Sequence, residues 1–208
     1  SDLIYFDIVR DKIPIFSVDV SYMANEEIGY IKISSFSHTT DNEFIDAVIK
    51  LKSQGMKKLI LDLRSNTGGI MDAATKISDE FLPKDEMIVY TQGRKHGRIE
   101  THATDQLRPC IDLELAVLID EFSASASEIV AGAIQDNDRG WIIGRRSFGK
   151  GLVQEPVQFE DGSAMRLTIA RYHTPSGRCS QKDYGNDLED YYSDIVNRYA
   201  NGEFMSVD

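Results

Sequence analysis

Apolar residues follow two different periods along the chain, and their alternation predicts an α/β fold. Short runs rich in β-branched and aromatic residues predict strands at 26–37, 57–64, 114–120 and 140–146. Segments 39–55 and 70–83 repeat apolar residues at helical spacing, and a further helix is expected to run to about Asn137. This order favours a mainly parallel sheet covered by crossover helices.

Two later regions predict paired strands instead. Residues 86–108 contain two β-rich runs around the turn GRKHG, and the runs LVQEPVQF and AMRLTIARYHT flank the turn EDGS. Residues 186–202 predict a last helix. For the first helix, Asp41 is the expected N-terminal cap, and Gly55 is the residue expected just past its end. We therefore expect one α/β core with an added β-hairpin region.

Composition and charge limit the classes of function. The 208 residues are 41% hydrophobic, which is enough for one buried core. The formal net charge of −11 repels nucleic acid and anionic membranes, so neither is an expected partner. Charged residues recur through the opening SDLIYFDIVRDKIPIF, and no apolar span of about 20 residues occurs, so we expect neither a signal peptide nor a membrane helix.

Cysteine and histidine positions argue against metal chemistry. Cys110 and Cys179 form no CxxC pair and have no histidine cluster beside them, so no metal site is predicted. Two cysteines leave a disulfide and two free thiols equally open. No Ser-His-Asp set stands out, because the four histidines are scattered and each is typical of a surface or strand position: His38, His96, His102 and His173.

Three serines at every second position lie between a predicted strand and a helix, in the stretch DEFSASASEIVAGAIQDND. The first turn of that helix offers free backbone N–H groups and the positive end of the dipole, which stabilise an oxyanion. Ser125 and Glu128 also fit a capping box, and this stretch alone favours that structural role. A nucleophile and a helix cap both remain open.

A single lysine lies between two glycines in the loop SFGKG. Gly149 and Gly151 let backbone or substrate approach Lys150 closely. A lysine acts as a general base when desolvation lowers its pKa from ~10.4 toward ~7–8. Gln154 is placed to hydrogen-bond such an amine and aim it at a serine. The structural alternatives are a solvated loop lysine and an ordinary strand glutamine.

A second glycine-rich loop, SNTGG, connects the strand at 57–64 to the helix at 70–83. Gly68 and Gly69 can bring backbone N–H groups to a small anion. The spacing is neither GxGxxG nor a Walker loop, so a nucleotide site is not predicted. A simple strand-to-helix turn is the structural alternative.

Four long stretches occur in an order that is typical of one family: GYIKISSFS, LILDLRSNTGGIMDAATKISDEFLP, DEFSASASEIVAGAIQDNDRGWIIGRRSFGKGLVQ and DGSAMRLTIARYHTPSGR. Together they resemble the catalytic core of the carboxyl-terminal processing peptidases, the tail-specific proteases of serine peptidase family S41. The resemblance runs over about residues 28–182. It implies an α/β core of the ClpP/crotonase-like type.

The resemblance implies a serine endopeptidase with a Ser-Lys dyad that cleaves protein substrates near their C-terminus. Aligned with the family's motifs, the middle serine, Ser125, is the nucleophile, Lys150 the general base and Gln154 the residue that orients the lysine. A serine needs an adjacent base because its hydroxyl is a poor nucleophile at its free pKa. This chemistry needs no metal and no organic cofactor.

The same alignment implies the oxyanion hole and the partners. The backbone N–H of Ala126 and that of Gly68 or Gly69 would hold the oxyanion. The expected partner is a protein or peptide with a free C-terminus. The family implies a periplasmic or cell-envelope location. A homo-oligomer, and peripheral membrane association through segments outside this chain, are open.

The chain departs from the family near its start. A typical member carries a PDZ domain ahead of the core, which captures the substrate's C-terminus by strand addition. Here residues 1–27 resemble the strand and linker that follow such a domain, and residues 28–208 form the expected catalytic core. A natural short form and an excised core are both open. The rival function is a non-catalytic scaffold or a module that binds a peptide or hydrophobic ligand.

Overall fold

The computed structural model describes residues 4, 6, 10, 15–95, 97–106, 108–184 and 188–205. The strands are β1 Val18–Met23, β2 Ile28–Ile33, β3 Lys58–Asp62, β4 Met87–Gln92, β5 Ile99–His102, β6 Glu114–Ile119, β7 Trp141–Gly144, β8 Leu152–Gln158 and β9 Ala164–His173. The helices are α1 Thr40–Ser53, α2 Met71–Asp79, α3 Ala126–Asp136 and α4 Leu188–Ala200.

A five-stranded sheet in the order β1-β2-β3-β6-β7 forms the centre of the fold. Strands β2, β3, β6 and β7 are parallel, and β1 is antiparallel at one edge. The central strands carry continuous apolar runs because helices cover them, and Leu59, Leu61 and Val117 are buried. The predicted mixed α/β fold with a mainly parallel sheet is confirmed.

A second, antiparallel sheet has the order β5-β4-β9-β8. It contains both strand pairs that the sequence predicts, β4 with β5 and β8 with β9. The turn between β4 and β5 includes His96, which lies outside the described residues. The loop that contains Lys150 runs from β7 in the first sheet to β8 in the second, so it crosses between the two sheets.

The helices follow the predicted positions with shifted ends. Thr39 is the N-cap of α1, and Asp41 lies in its first turn, so Asp41 is not the cap. Gly55 follows the C-cap with a φ of 103°, as predicted. Helix α2 ends at Asp79. The backbone then forms i to i+3 hydrogen bonds, from the Phe81 N–H to Ser78 and from the Leu82 N–H to Asp79, and the Phe81 side chain is buried in the core.

The N-terminal part contributes to the main sheet. Strand β1, which falls within the predicted segment 1–27, pairs with β2 along its length. The boundary at residue 27 stays a prediction. No helix in the described ranges is long and apolar enough to cross a membrane.

The two cysteines are free thiols, so the disulfide alternative does not occur. Cys110 is buried and Cys179 is exposed. Burial raises the pKa of the Cys110 thiol, which keeps it protonated and unreactive. Within the part of the chain that the structure describes, no group of three or more His, Cys, Asp or Glu side chains is arranged to hold a metal ion.

Candidate active site

The turn between β6 and α3 holds Ser125 in a strained backbone conformation. Its φ is 58° and its ψ is −114°, a combination that residues with a side chain rarely adopt. Such strain costs about 1–3 kcal/mol and persists only where surrounding contacts enforce it. Ser125 is also the N-cap of α3, so it lies at the positive end of the helix dipole.

The two flanking serines are used by the fold. The Ser123 hydroxyl is buried and donates to the Leu63 carbonyl at 2.8 Å. The Ser127 hydroxyl is buried and donates to the Asn66 carbonyl at 2.9 Å. Of the three serines, Ser125 is the one that lines a cavity. Ser125 is therefore the candidate nucleophile, because its backbone is strained and it lines a cavity, whereas the hydroxyls of Ser123 and Ser127 are buried and bonded within the fold.

Ser125 and Lys150 are half-buried and line the same cavity of about 390 Å³. Gly69, Ala126 and Gln154 line it as well. Among the described residues no hydrogen bond connects the Ser125 hydroxyl to the Lys150 amine. The fold brings the candidate nucleophile and base into one cavity without completing their contact. Catalytic hydrogen bonds often form only once substrate is bound.

A larger cavity lies elsewhere. It measures about 640 Å³ and is formed at the amino ends of the parallel strands, around Lys58, Glu114 and Trp141. No serine, cysteine or histidine lines it, so it offers no hydroxyl or thiol nucleophile of the kind a serine or cysteine peptidase uses. We therefore assign the chemistry to the smaller cavity, where a serine, a lysine and a helix N-terminus converge.

Glu128 links the serine turn to the lysine loop. This carboxylate is only 6% exposed, and the capping-box arrangement with Ser125 is present, although the Ser125 hydroxyl makes no side-chain cap hydrogen bond. One carboxylate oxygen accepts from the N–H groups of Ser125 and Lys150, each at 2.8 Å. The other accepts from the Ser147 hydroxyl at 2.6 Å and from the Gly149 N–H at 2.9 Å. Sequence reasoning treated Glu128 only as a capping partner.

Two backbone N–H groups beside the candidate nucleophile are available to an oxyanion. Ala126 and Gly69 line the cavity, and neither N–H donates to a described residue. The Gly68 N–H donates instead to the Asn66 side-chain oxygen at 2.8 Å. The sequence left Gly68 and Gly69 as alternative oxyanion donors. Of these two, Gly69 has the N–H that is available to an oxyanion.

Gly68 has a packing role in the same place. Its φ is 98°, and an added Cβ would lie 2.6 Å from the Ser125 Cβ and 2.9 Å from the Ala126 nitrogen. Real Cβ atoms do not approach other atoms that closely, so only glycine allows this contact between the two loops. The glycine-rich loop thus lies directly against the serine turn.

The side chain of Gln154 makes a different contact from the expected one. It is exposed and donates to the Thr168 hydroxyl on β9 at 3.3 Å. Among the described residues it makes no hydrogen bond to the Lys150 amine. Gln154 shares the cavity with Lys150, but in this structure it does not orient the amine.

Tyr172 is a site residue that sequence reasoning missed. It lies on β9, is 3% exposed, and its hydroxyl donates to the Lys150 carbonyl oxygen. Burial raises the pKa of the Tyr172 phenol, and its interaction with the Ser125 hydroxyl opposes that rise only in part. Tyr172 is therefore a neutral donor that ties Lys150 to the second sheet. It lies within the family-like stretch DGSAMRLTIARYHTPSGR, but the local sequence does not reveal its role, because that role depends on a strand pairing.

An ion pair between Asp62 and Arg64 lies at the end of β3, just before the glycine-rich loop. The Asp62 carboxylate is fully buried and accepts from Arg64 at 2.7 Å and from the Tyr30 hydroxyl at 2.5 Å. Burial alone would raise the pKa of Asp62, but the hydrogen bonds from Arg64 and Tyr30 hold it below its usual value. Burial and the neighbouring Asp62 raise the pKa of Tyr30 to about 12. The strand end before the loop is thereby fixed.

Comparison with known proteins identifies the family of the chain. Residues 27–189 match the family model described as peptidase family S41. The chain belongs to peptidase family S41. The matched range contains β2 to β9 and therefore both loops that form the cavity.

The chain matches curated relatives over only part of their length. The chain is 38% identical over 170 residues to a "Probable CtpA-like serine protease" of Staphylococcus aureus strain N315, covering 82% of this chain and 34% of that protein. It is 36% identical over 168 residues to the protein of the same name from Staphylococcus saprophyticus, covering 81% and 34%. The chain thus spans about a third of the length of these relatives.

Solved structures of similar proteins share the fold. The photosystem II D1 C-terminal processing protease superimposes with a TM-score of 0.71 at 31% identity, covering 82% of this chain and 47% of that one. A lipoprotein from Streptococcus agalactiae superimposes with a TM-score of 0.61 at 21% identity, covering 86% and 69%. At that identity the second likeness concerns the fold alone.

Proposed function

We propose that this chain is the catalytic core of a serine endopeptidase that uses Ser125 and Lys150 as a dyad. The observation that carries the proposal is the strained Ser125 at the mouth of α3, in a cavity shared with Lys150. A helix cap alone has no need of a lysine framed by two glycines at the same cavity. The 38% identity to a CtpA-like serine protease adds support.

The proposed reaction proceeds through an acyl-enzyme. The Lys150 amine takes the proton of the Ser125 hydroxyl, and the oxygen attacks the carbonyl carbon of the scissile peptide bond. The N–H groups of Ala126 and Gly69 hold the resulting oxyanion, and each such donor contributes roughly 10²–10³-fold to the rate. The Lys150 ammonium returns its proton to the leaving amine as the peptide C–N bond breaks, and water, deprotonated by the free Lys150 amine, then hydrolyses the acyl-enzyme ester. No step requires a metal or an organic cofactor.

The proposed substrate is a protein or peptide cleaved near its C-terminus. The solved relative named as a C-terminal processing protease supports this class of substrate. We also propose a periplasmic or cell-envelope location, which rests on the family resemblance alone.

Labelling of the nucleophile tests the proposal directly. In the full-length protein, a fluorophosphonate probe should label one serine, and both Ser125→Ala and Lys150→Ala should lose labelling and peptidase activity by at least about 10³-fold. The exposed Ser53→Ala and Lys95→Ala are matched controls and should retain both. Full activity in either dyad variant would show that the dyad is misassigned.

The rival function gives a different result in the same assay. A non-catalytic scaffold or binding module would bind peptide without labelling, and Ser125→Ala would leave that binding unchanged. The N–H groups of Ala126 and Gly69, which donate to no described residue, favour the enzyme, because both lie at the cavity beside Ser125, where an oxyanion would form.

A further inference from the structure

The C-terminal segment holds the loop that carries Lys150 from its outer side. We call the residues that make these contacts the C-terminal clamp: Gln181, Lys182, Arg198 and Glu203. The family match ends at residue 189, so Arg198 and Glu203 lie beyond it. The part of the clamp that Arg198 and Glu203 form is therefore not covered by the family match.

Arg198 is the buried centre of the clamp. It is 3% exposed, although its helix neighbour Tyr199 is 62% exposed. Its guanidinium donates to the Arg146 carbonyl at 2.6 Å, to the Ser147 carbonyl at 3.4 Å and to Glu203 at 2.9 Å. A planar guanidinium can satisfy two successive carbonyls and a carboxylate together, which a lysine ammonium cannot do in the same geometry.

Glu203 supplies the counter-charge. Its carboxylate also accepts from the Arg146 guanidinium at 3.1 and 3.0 Å, so it binds both arginines. The hydrogen bond from Arg146, together with Arg198, lowers the pKa of Glu203 to about 2. The carboxylate is therefore ionised throughout the range in which a peptidase is assayed, and Arg198 stays paired.

The clamp reaches both sides of Lys150. On one side, Arg198 binds the carbonyl of Ser147, whose hydroxyl donates to Glu128, the carboxylate that holds the Lys150 N–H. On the same side, the Lys182 N–H donates to the Gly149 carbonyl at 2.9 Å. On the other side, the Gly151 N–H donates to the Gln181 side-chain oxygen at 3.1 Å. The backbone on each side of Lys150 is thus fixed by the C-terminal segment.

We propose that Arg198 is a positioning residue that sets the place of the Lys150 loop relative to Ser125. The proposal rests on the function proposed above, in which Lys150 is the base. Arg198 acts through the carbonyls of residues 146 and 147 and touches neither substrate nor the reacting atoms. Since a displacement of about 1 Å costs on the order of 10²-fold in rate, loss of this contact should lower turnover rather than substrate affinity.

The test compares Arg198→Met, Arg198→Lys and the exposed Arg94→Met in the full-length protein. Arg198→Met keeps the aliphatic stem and removes the donors. We expect its kcat to fall about 10–100-fold with KM within about 2-fold. Fluorophosphonate labelling should slow by the same factor, and amide hydrogen exchange should rise at residues 148–150. Arg198→Lys should recover part of the loss, and Arg94→Met should match the parent.

Two results would overturn the proposal. One is a variant that melts earlier but keeps its parental kcat per labelled site, since Arg198 would then only stabilise the fold. The other is unchanged hydrogen exchange at residues 148–150 together with a lower kcat, since the loop would then not have moved. Failure of the dyad itself is recognised separately, because Lys150→Ala would then retain activity.

Discussion

The two halves of the candidate site are built differently. The nucleophile half, residues 65–69 and 120–128, lies at the carboxyl ends of β3 and β6, and half of its residues are buried. The lysine half, residues 145–154, crosses between the sheets and continues into the β8-β9 hairpin. That hairpin exposes several large apolar side chains: Val157, Phe159, Met165 and Leu167.

The difference shows where the precision of each half comes from. The nucleophile half is held mainly by contacts among its own residues: Ser123 and Asp120 bond within one turn, and the Ser127 hydroxyl donates to the Asn66 carbonyl. The lysine half depends on distant side chains, namely Glu128, Tyr172 and Arg198. We therefore expect changes in the nucleophile half to act by direct steric or electronic disruption. Changes in the lysine half should act by displacing an intact amine.

Among changes that leave both dyad residues in place, Gly68→Ala in the nucleophile half should lower kcat the most. The new Cβ would overlap the Ser125 Cβ and the Ala126 nitrogen, so kcat should fall by at least about 10²–10³-fold. Gly162→Ala is the matched control, because its φ of 84° imposes similar strain while its Cβ would meet no atom within 4 Å. Peptidase assays on both variants check this. Equal activity in the two variants would show that the close contact between Gly68 and the serine turn does not matter for catalysis.

Glu128→Gln should have the next largest effect, because it acts on both halves at once. The amide keeps one acceptor oxygen but turns an NH₂ group toward backbone donors, which should cost about 1–3 kcal/mol of unfolding free energy. We expect kcat to fall about 10–100-fold. Denaturant unfolding and kinetics measure the two effects, with the exposed Glu27→Gln as control. A kcat equal to that of the parent would show that Glu128 does not couple the position of the lysine half to that of the nucleophile half.

Gln154→Ala should have a smaller effect. Its side chain bonds Thr168 at 3.3 Å on an exposed strand, so kcat should fall less than about 10-fold and stability should not change. Gln158→Ala on the same exposed strand is the control. A loss of 10²-fold or more would instead mean that Gln154 leaves Thr168 and binds Lys150 during the reaction.

The smallest effect concerns a residue outside both halves. Burial, together with Asp79, raises the pKa of Glu80 from 4.5 to about 6. The folded protein then binds this proton more tightly than the unfolded chain, so the unfolding free energy falls as pH rises from about 4.5 to 6. Glu80→Gln should add about 1 kcal/mol at pH 7.5 and nothing near pH 4.5. Urea unfolding at both pH values measures this, and a gain equal at both would refute it.

Much of the fold could be predicted from periodicity. The buried runs of β3 and β6, the helix before Gly55 and the pairing of β8 with β9 all follow from local patterns. Element ends were less predictable: Thr39 and not Asp41 occupies the N-cap position of α1, and Thr39 makes no side-chain cap hydrogen bond. Short-range propensity restricts the ends of a helix only to within a few residues.

The site divides in the same way. The serine turn and the glycine-rich loop are each a single contiguous stretch of sequence, so their motifs could indicate a nucleophile and an oxyanion hole. The choice of Gly69 over Gly68 required the side chain of Asn66. The roles of Tyr172 and Arg198 could not be seen in the local sequence, because each acts on a carbonyl of the lysine loop from another element.

The sequence by itself determined the order of strands and helices, the family and the residues capable of the chemistry. Periodicity and motif spacing are local properties that each segment carries with it. Only the tertiary structure decided which serine faces a cavity, which glycine N–H is available and what holds the lysine loop. Those choices depend on hydrogen bonds between segments tens of residues apart, and such bonds exist only once the chain has packed.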